Sequence, residues 1–318
     1  MDLLTEDKKE IGKLDIVAPN VARILITMVN VYLLKTESQL EDRWILVDAG
    51  IGNCAKKIKK QAAIFTSHSR PPEAIVLTHG HFDHIGAAKE LAEEWDVPVY
   101  AHPNEFPYLT GKASYPPPDP TVGGGGMTLL SFLYPNGPID LGDRLRPFPE
   151  NGIMPEMPEW KIIETPGHSP GHVSLYRESD KILIVGDAFV TVKQESTLAV
   201  MTQKKEIHGP PTYFTCDWIA AKASVERLAA LNPTIAATGH GVPINGETLK
   251  NGLQNLAENF DKLAKPSNGR YINDPALTNE QGVSYLPPAI VSNKAISIIL
   301  AGTVIGITLL LFLNSDED

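Results

Sequence analysis

The stretch Thr78-His79-Gly80-His81-Phe82-Asp83-His84 places three imidazoles and a carboxylate within six residues. Side chains of these types are costly to gather as packing alone, because aspartate is mostly exposed and histidine only intermediate in burial. The run Ala74-Ile75-Val76-Leu77 just before them reads as a strand. In extended backbone His79 and His81 share a face. Where a helix then begins, Asp83 and His84 turn to another, so one short motif offers donors to two neighbouring cations.

Further donors recur at predicted strand ends: His168 in Thr165-Pro166-Gly167-His168-Ser169-Pro170-Gly171-His172, Asp187 after Ile184-Val185-Gly186, and His240 in Thr238-Gly239-His240-Gly241. A glycine precedes each of the three (Gly167, Gly186 and Gly239), which permits close backbone approach and unusual dihedrals. Imidazole and carboxylate donors suit zinc, and also manganese, iron or cobalt. Two divalent ions with two ligating aspartates and a hydroxide would leave about one net positive charge, which attracts an oxyanion. A metal-bridging hydroxide is available near neutral pH, since zinc lowers the pKa of bound water to about 7. It would attack a carbonyl, and Asp83 is the candidate catalytic residue to orient it or pass its proton to the leaving group. Ser169, beside His168, reads as a loop residue and not as a nucleophile.

The elements that must position these donors follow from periodicity. Strands are predicted over 24–27, 29–34, 44–47, 74–78, 97–100, 161–164, 173–176, 182–185 and 234–237. Helices are predicted over 53–65, 86–95, 217–231 and 246–264. Strands precede helices twice over, which suggests a duplicated α+β layering. Residues 103–158 hold 12 of the 26 prolines and 8 of the 25 glycines, a density that marks irregular structure. A long loop of this kind inside a domain is expected as a lid or binding loop. Residues 266–294 read as a linker.

The chain has 318 residues, 42% of them hydrophobic and 21% charged, enough for a substantial core. Its net charge of −10 disfavours nucleic acid as a partner. The two cysteines, Cys54 and Cys216, are far apart with no CxxC, so two separate buried thiols are expected. The first ten residues lack a basic stretch followed by an apolar run, and no secretory leader is expected. Residues 295–313 carry no charge, and 19 helical residues would span about 28 Å. A C-terminal transmembrane anchor is therefore expected. Lys294 before it and Asp316-Glu317-Asp318 after it favour a cytoplasmic catalytic portion.

With these motifs the chain resembles the metallo-β-lactamase-fold hydrolases, in particular the dinuclear branch that includes glyoxalase II and quorum-quenching lactonases. The resemblance covers about 21–265 and implies a four-layer αββα sandwich with metals at one edge, between the sheets. It implies that His79, His81 and His168 hold one ion, that Asp83, His84 and His240 hold a second, and that Asp187 bridges them. Val47-Asp48-Ala49-Gly50 is similar to the early strand-end aspartate that buttresses ligands in such proteins. His172 fits the loop pattern as a support, not a ligand. Flavodiiron proteins would have Glu in place of His81, and true β-lactamases generally lack the bridging carboxylate and are exported. The lactonases carry a tyrosine where Val190 stands, so a hydroxyl would have to come from Tyr108, Tyr115 or Tyr213. Residues 246–265 are too short for the glutathione-binding domain of glyoxalase II.

The expected fold class is α+β, the αββα sandwich plus a C-terminal transmembrane helix. The hydrolase domain is expected over 1–265, the linker over 266–294 and the anchor over 295–313. The expected function is a membrane-anchored, metal-dependent hydrolase of an ester, thioester or lactone. It would use two divalent ions, zinc foremost, on a small-molecule acyl substrate. The alternatives are a phosphodiesterase or ribonuclease-like hydrolase with the same metals, and a non-catalytic membrane-tethered binding protein of the same fold.

Overall fold

Along Val29–Lys35 the side chains are buried on two different sides. Val29, Val31 and Leu33 pack against a helical layer, while Tyr32 and Leu34 face a second sheet. The period of two that defines a strand thus serves two cores at once. The structure, a computed structural model, describes residues 14–36, 43–66 and 70–290.

That strand is β3 of a seven-stranded sheet in sequential order: β1 (Leu14–Ala18), β2 (Val21–Ile26), β3 (Val29–Lys35), β4 (Trp44–Val47), β5 (Ile75–Val76), β6 (Val99–Ala101) and β7 (Leu145–Pro147). Strands β1 to β4 pair antiparallel, and β4 to β7 pair parallel. Parallel neighbours need crossovers, which α1 (Ala55–Thr66) supplies between β4 and β5 and α3 (Ala88–Trp95) between β5 and β6, the latter after the single turn α2 (Phe82–Ile85). Ala55, Ile58 and Ala62 of α1 and Ala88, Leu91 and Ala92 of α3 close over the outer face.

Residues 103–158 include α4 (Phe106–Leu109), α5 (Gly126–Leu129) and strand β7. Both ends of this stretch are pinned. Leu109, Leu141 and Leu145 enter the first core, and Met154 and Met157 enter the core between the sheets.

The second sheet has the order β12-β11-β10-β9-β8, from β8 (Trp160–Glu164), β9 (Val173–Arg177), β10 (Ile182–Gly186), β11 (Ile235–Thr238) and β12 (Ile244–Asn245). Between β10 and β11 run α6 (Thr197–Thr202) and α7 (Trp218–Ala230); α8 (Gly246–Glu258) and α9 (Phe260–Leu263) follow β12. The same alternation recurs here. Leu183 and Val185 meet Trp218, Val225, Leu253 and Phe260, whereas Ile182 and Ile184 meet Ile45, Val47 and Val76 of the first sheet. The three cores define helix, sheet, sheet and helix layers, the expected sandwich. The single helix expected over 246–264 is interrupted at Asn259, whose φ of −120° leaves the helical region and whose amide bonds back to the Asn255 carbonyl.

Residues 266–290, expected as linker, carry a hairpin of β13 (Leu277–Asn279) and β14 (Gly282–Tyr285). Tyr271 is buried, its hydroxyl donates to the Pro117 carbonyl at 2.7 Å, and the Ala276 amide donates to the Cys216 carbonyl at 3.0 Å.

One part of the expected fold class is corrected. Among the described residues no helix is long and apolar enough to cross a membrane. Helices α7 and α8 have 13 residues each, about 20 Å of helix against a hydrocarbon core of about 30 Å. The segment 295–313 that suggested a span lies outside the described residues. Over the described residues the fold class is the αββα sandwich without a transmembrane helix, and the expected membrane-anchored localisation and membrane partner find no support there.

Candidate metal centre

The chain leaves β4, β5, β8, β10 and β11 at one edge of the sandwich, and each exit delivers a polar side chain. His79 and His81 follow β5, and Asp83 and His84 lie in α2. His168 follows β8, Asp187 directly follows β10, and His240 follows β11. All seven are buried. Their donor atoms form three groups, each spanning no more than 4.8 Å: His79, His81 and His168; His79, His84 and Asp187; Asp83, His84 and His240.

Asp187 is central. Its Oδ2 is 3.5 Å from His84 Nε2, 3.5 Å from His168 Nε2 and 3.2 Å from His240 Nε2. His81 Nδ1 is 3.0 Å from His168 Nε2, and Asp83 Oδ2 is 3.4 Å from His240 Nε2. Gly239 permits this crowding, since a Cβ there would overlap the Asp187 carboxylate. Sequence reasoning named all seven side chains, and the fold brings all seven together.

Most of these rings are fixed by a partner on the other nitrogen. His84 Nδ1 meets Asp48 Oδ2 at 2.8 Å, His79 Nδ1 meets Thr78 Oγ1 at 3.1 Å and His168 Nδ1 meets Thr215 Oγ1 at 3.2 Å. His240 Nδ1 bonds to the Met28 carbonyl at 2.8 Å. Such contacts orient a ligand and set its tautomer. His172 lies beside the cluster, 5.1 Å from the His79 ring, but both its nitrogens are engaged: Nε2 accepts the Asp187 amide at 2.8 Å and Nδ1 meets Thr165 Oγ1 at 2.8 Å. It supports the loop, as expected. Ser169 donates its hydroxyl to the buried Glu105 carboxylate at 3.0 Å, a contact that holds its loop.

Burial, reinforced by neighbouring imidazoles, holds His79 and His168 well below the ordinary histidine value and brings His81 down to about 3. Burial alone would also depress His84 and His240, but the Asp187 carboxylate, with Asp48 beside His84 and Asp83 beside His240, raises both. Burial opposes the charge on Asp187, yet His240 and His84 hold that carboxyl well below its usual range. Neutral imidazoles and ionised carboxylates are the forms a metal takes. His79 Nε2, His84 Nε2 and Asp187 Oδ1 are buried without a hydrogen-bond partner, a costly state that coordination would relieve. With no thiolate in the set, the donors fit hard-to-borderline divalent cations.

One wall of the site is aromatic, and sequence reasoning missed most of it. Phe214 stacks on His81 at 4.5 Å between ring centroids. Phe82 and Tyr134 lie 6.2 and 6.1 Å from Phe214, and Tyr213 stands edge-on to Tyr134 at 5.7 Å. Tyr134 and Tyr213 sit in irregular stretches with no periodicity to mark them. Of the tyrosines considered as a substitute for the residue at Val190, Tyr115 hydrogen-bonds Glu105 and Tyr108 stacks on Tyr115. Tyr213 is the one that feels Asp83 and Asp187: its hydroxyl is raised by burial first and then by Asp83, Glu195, Tyr134 and Asp187.

A sandwich with a histidine and aspartate centre at its strand-exit edge defines a class, and the chain belongs to it: the sequence model of the metallo-beta-lactamase superfamily matches residues 26–240. Among its relatives, the chain is 42% identical over 246 residues to the probable metallo-hydrolase YflN of Bacillus subtilis (strain 168), covering 77% of this chain and 93% of that protein. It is 32% identical over 209 residues to the probable metallo-hydrolase YybB of the same organism, covering 65% of this chain and 80% of that protein. The crystal structure of a beta-lactamase domain protein from Burkholderia ambifaria superposes with a TM-score of 0.54 at 22% identity, over 80% of this chain and 79% of that one, a likeness of fold. The chain is thus a metal-dependent hydrolase of this superfamily, with a dinuclear-type site for divalent metals.

Proposed function

We propose that this hydrolase cleaves an ester, thioester or lactone of a small acyl molecule, in the manner of the glyoxalase II and lactonase branch. In this reading His79, His81 and His168 would hold one ion, Asp83, His84 and His240 would hold the other, and Asp187 would supply a carboxylate to both. The observation that carries it is the position of Asp187 Oδ2, within 3.5 Å of imidazole nitrogens from both triads. Zinc is the proposed metal, the donor set suiting manganese, iron or cobalt as well.

When bound, the metal pair supplies an activated water at neutral pH and a Lewis acid for the developing oxyanion. The protein does the rest. Asp83, its carboxylate turned toward the His240 ring at 3.4 Å, orients the attacking water and takes its proton, then yields it to the leaving oxygen or sulfur. Phe82, Tyr134 and Phe214 hold the uncharged part of the substrate against the His81 side and exclude water. Tyr134 belongs to 103–158, and that stretch is assigned the role of a cover over the site. The chain's net charge of −10 disfavours a nucleic-acid phosphodiester, whereas a small neutral acyl compound is not repelled.

The test is a hydrolysis panel on purified protein: nitrophenyl esters of rising acyl length, a thioester, a lactone and bis-nitrophenyl phosphate, joined to elemental analysis. We expect near two metal equivalents, carbonyl substrates cleaved faster than the phosphodiester, activity lost to a chelator and restored by zinc, and His79→Ala inactive. Preference for the phosphodiester would transfer the reading to nuclease-like chemistry. Loaded protein inert to the whole panel would favour a binding role.

A further inference from the structure

Glu105 is a fully buried carboxylate that no sequence motif marks and that the proposed reaction does not use. It stands at the end of the 3-10 turn Pro103–Glu105, two residues past β6. Four hydrogen bonds reach it, all from neutral donors, and they divide by oxygen. Oε1 accepts the Ser169 hydroxyl at 3.0 Å and the Gly171 amide at 2.6 Å. Oε2 accepts the Gly80 amide at 3.0 Å and the Tyr115 hydroxyl.

Gly80 separates His79 from His81, and Ser169 follows His168. One oxygen therefore holds the loop of the first two histidines, and the other holds the loop of the third. The loops come close enough only because they lack side chains at the contact: a Cβ at Gly171 would lie 2.9 Å from Glu105 Cγ, and one at Gly80 would overlap the Tyr115 hydroxyl. Burying an ionised carboxylate is expensive unless its lone pairs are satisfied. Here three of the four bonds come from these two loops and the fourth from Tyr115.

We propose that Glu105 is a positioning residue, a clasp that fixes the spacing between the loops of His79, His81 and His168 and thereby the affinity of the three-histidine ion site. The proposal rests on the assignment of those histidines to one ion. A carboxylate accepts on both oxygens, whereas a carboxamide accepts on one and presents N–H groups from the other position. Glutamine at 105 could therefore satisfy either loop but not both. The ion held by Asp83, His84 and His240 has no ligand in the 168–172 loop and should be spared. A purely structural role would weaken both ions together.

The experiment is zinc titration with a competing chelator, with metal counted by elemental analysis and folding checked by circular dichroism. The wild type is expected to hold two equivalents and His240→Ala one. Glu105→Gln should keep one tight equivalent and bind the other roughly ten- to hundredfold more weakly, as for other groups that orient metal ligands. Combined with His240→Ala it should hold none at a zinc concentration where His240→Ala alone holds one. If Glu105→Gln does not fold, Tyr115→Phe with Ser169→Ala removes one donor per oxygen and leaves the carboxylate and both amides, and should weaken the same ion several-fold. Glu105→Gln retaining both ions at wild-type affinity, or losing both in parallel, overturns the clasp alone, as does wild-type binding in the double variant. Wild-type protein that does not hold two equivalents, or His240→Ala that loses both, overturns the ion assignment and the clasp with it.

Discussion

Asp48 Oδ2 stands 2.8 Å from His84 Nδ1, and the same carboxylate takes the Thr78 amide at 2.8 Å and the Thr78 hydroxyl. It thus ties the end of β4 to the end of β5 and fixes the ring that faces Asp187. Asp48 has a φ of +59°, a left-handed conformation that asparagine tolerates and most side chains do not. Asp48→Asn should keep the backbone while placing an amide donor against His84 Nδ1. We expect the affinity for one ion to fall roughly ten- to hundredfold in a chelator competition. Unchanged affinity would show that the ring is oriented without Asp48.

Tyr32 links the two sheets. Its hydroxyl, on β3, donates to the Thr238 carbonyl at the end of β11 at 2.7 Å, and Asn30 Nδ2 donates to the same carbonyl at 2.8 Å. Tyr32→Phe leaves that carbonyl one partner, so the loss should be about 1 kcal/mol in urea denaturation. Asn30→Ala removes bonds to both Thr238 and Gly241 and should cost more. Equal stabilities for wild type and both variants would mean the bridge contributes nothing.

The thiols should be inert in the folded protein. Cys54 and Cys216 are buried and unpaired, and burial pushes the Cys54 thiol up to about 11 and raises Cys216 as well. Thiolate is the reactive form, so a disulfide-exchange reagent at pH 7.5 should modify the native chain on the order of a hundredfold more slowly than an exposed cysteine. Two equivalents should react once denaturant is added, and the native rate should climb as pH approaches the Cys54 value. Rapid release from native protein at neutral pH would contradict this burial.

The donors were legible because their chemistry is concentrated: His79 to His84 cannot be read as packing, and His168, Asp187 and His240 each follow a glycine at a strand end. Strands with clear runs, such as Val29–Lys35 and Ile182–Gly186, were legible for the same kind of reason. β7 and β12 were not, since three and two residues carry no periodicity and exist only by pairing with a neighbour. The hairpin after Pro275 was hidden by a polar, proline-rich composition that reads as linker. Glu105 left no trace in the sequence because its role depends on Gly80 and Gly171, which only the fold brings to it. The span expected over 295–313 lies outside the described residues, and no helix within them is long and apolar enough to cross a membrane.

Strand β7 closes one end of the larger sheet with Arg146 and Pro147 exposed. Proline has no amide hydrogen to offer, and a charged neighbour resists desolvation, so an incoming strand finds no template there. Seven strands laid edge to edge would otherwise invite an eighth from another molecule. At that border the sheet offers a short, charged and proline-bearing edge that disfavours strand addition.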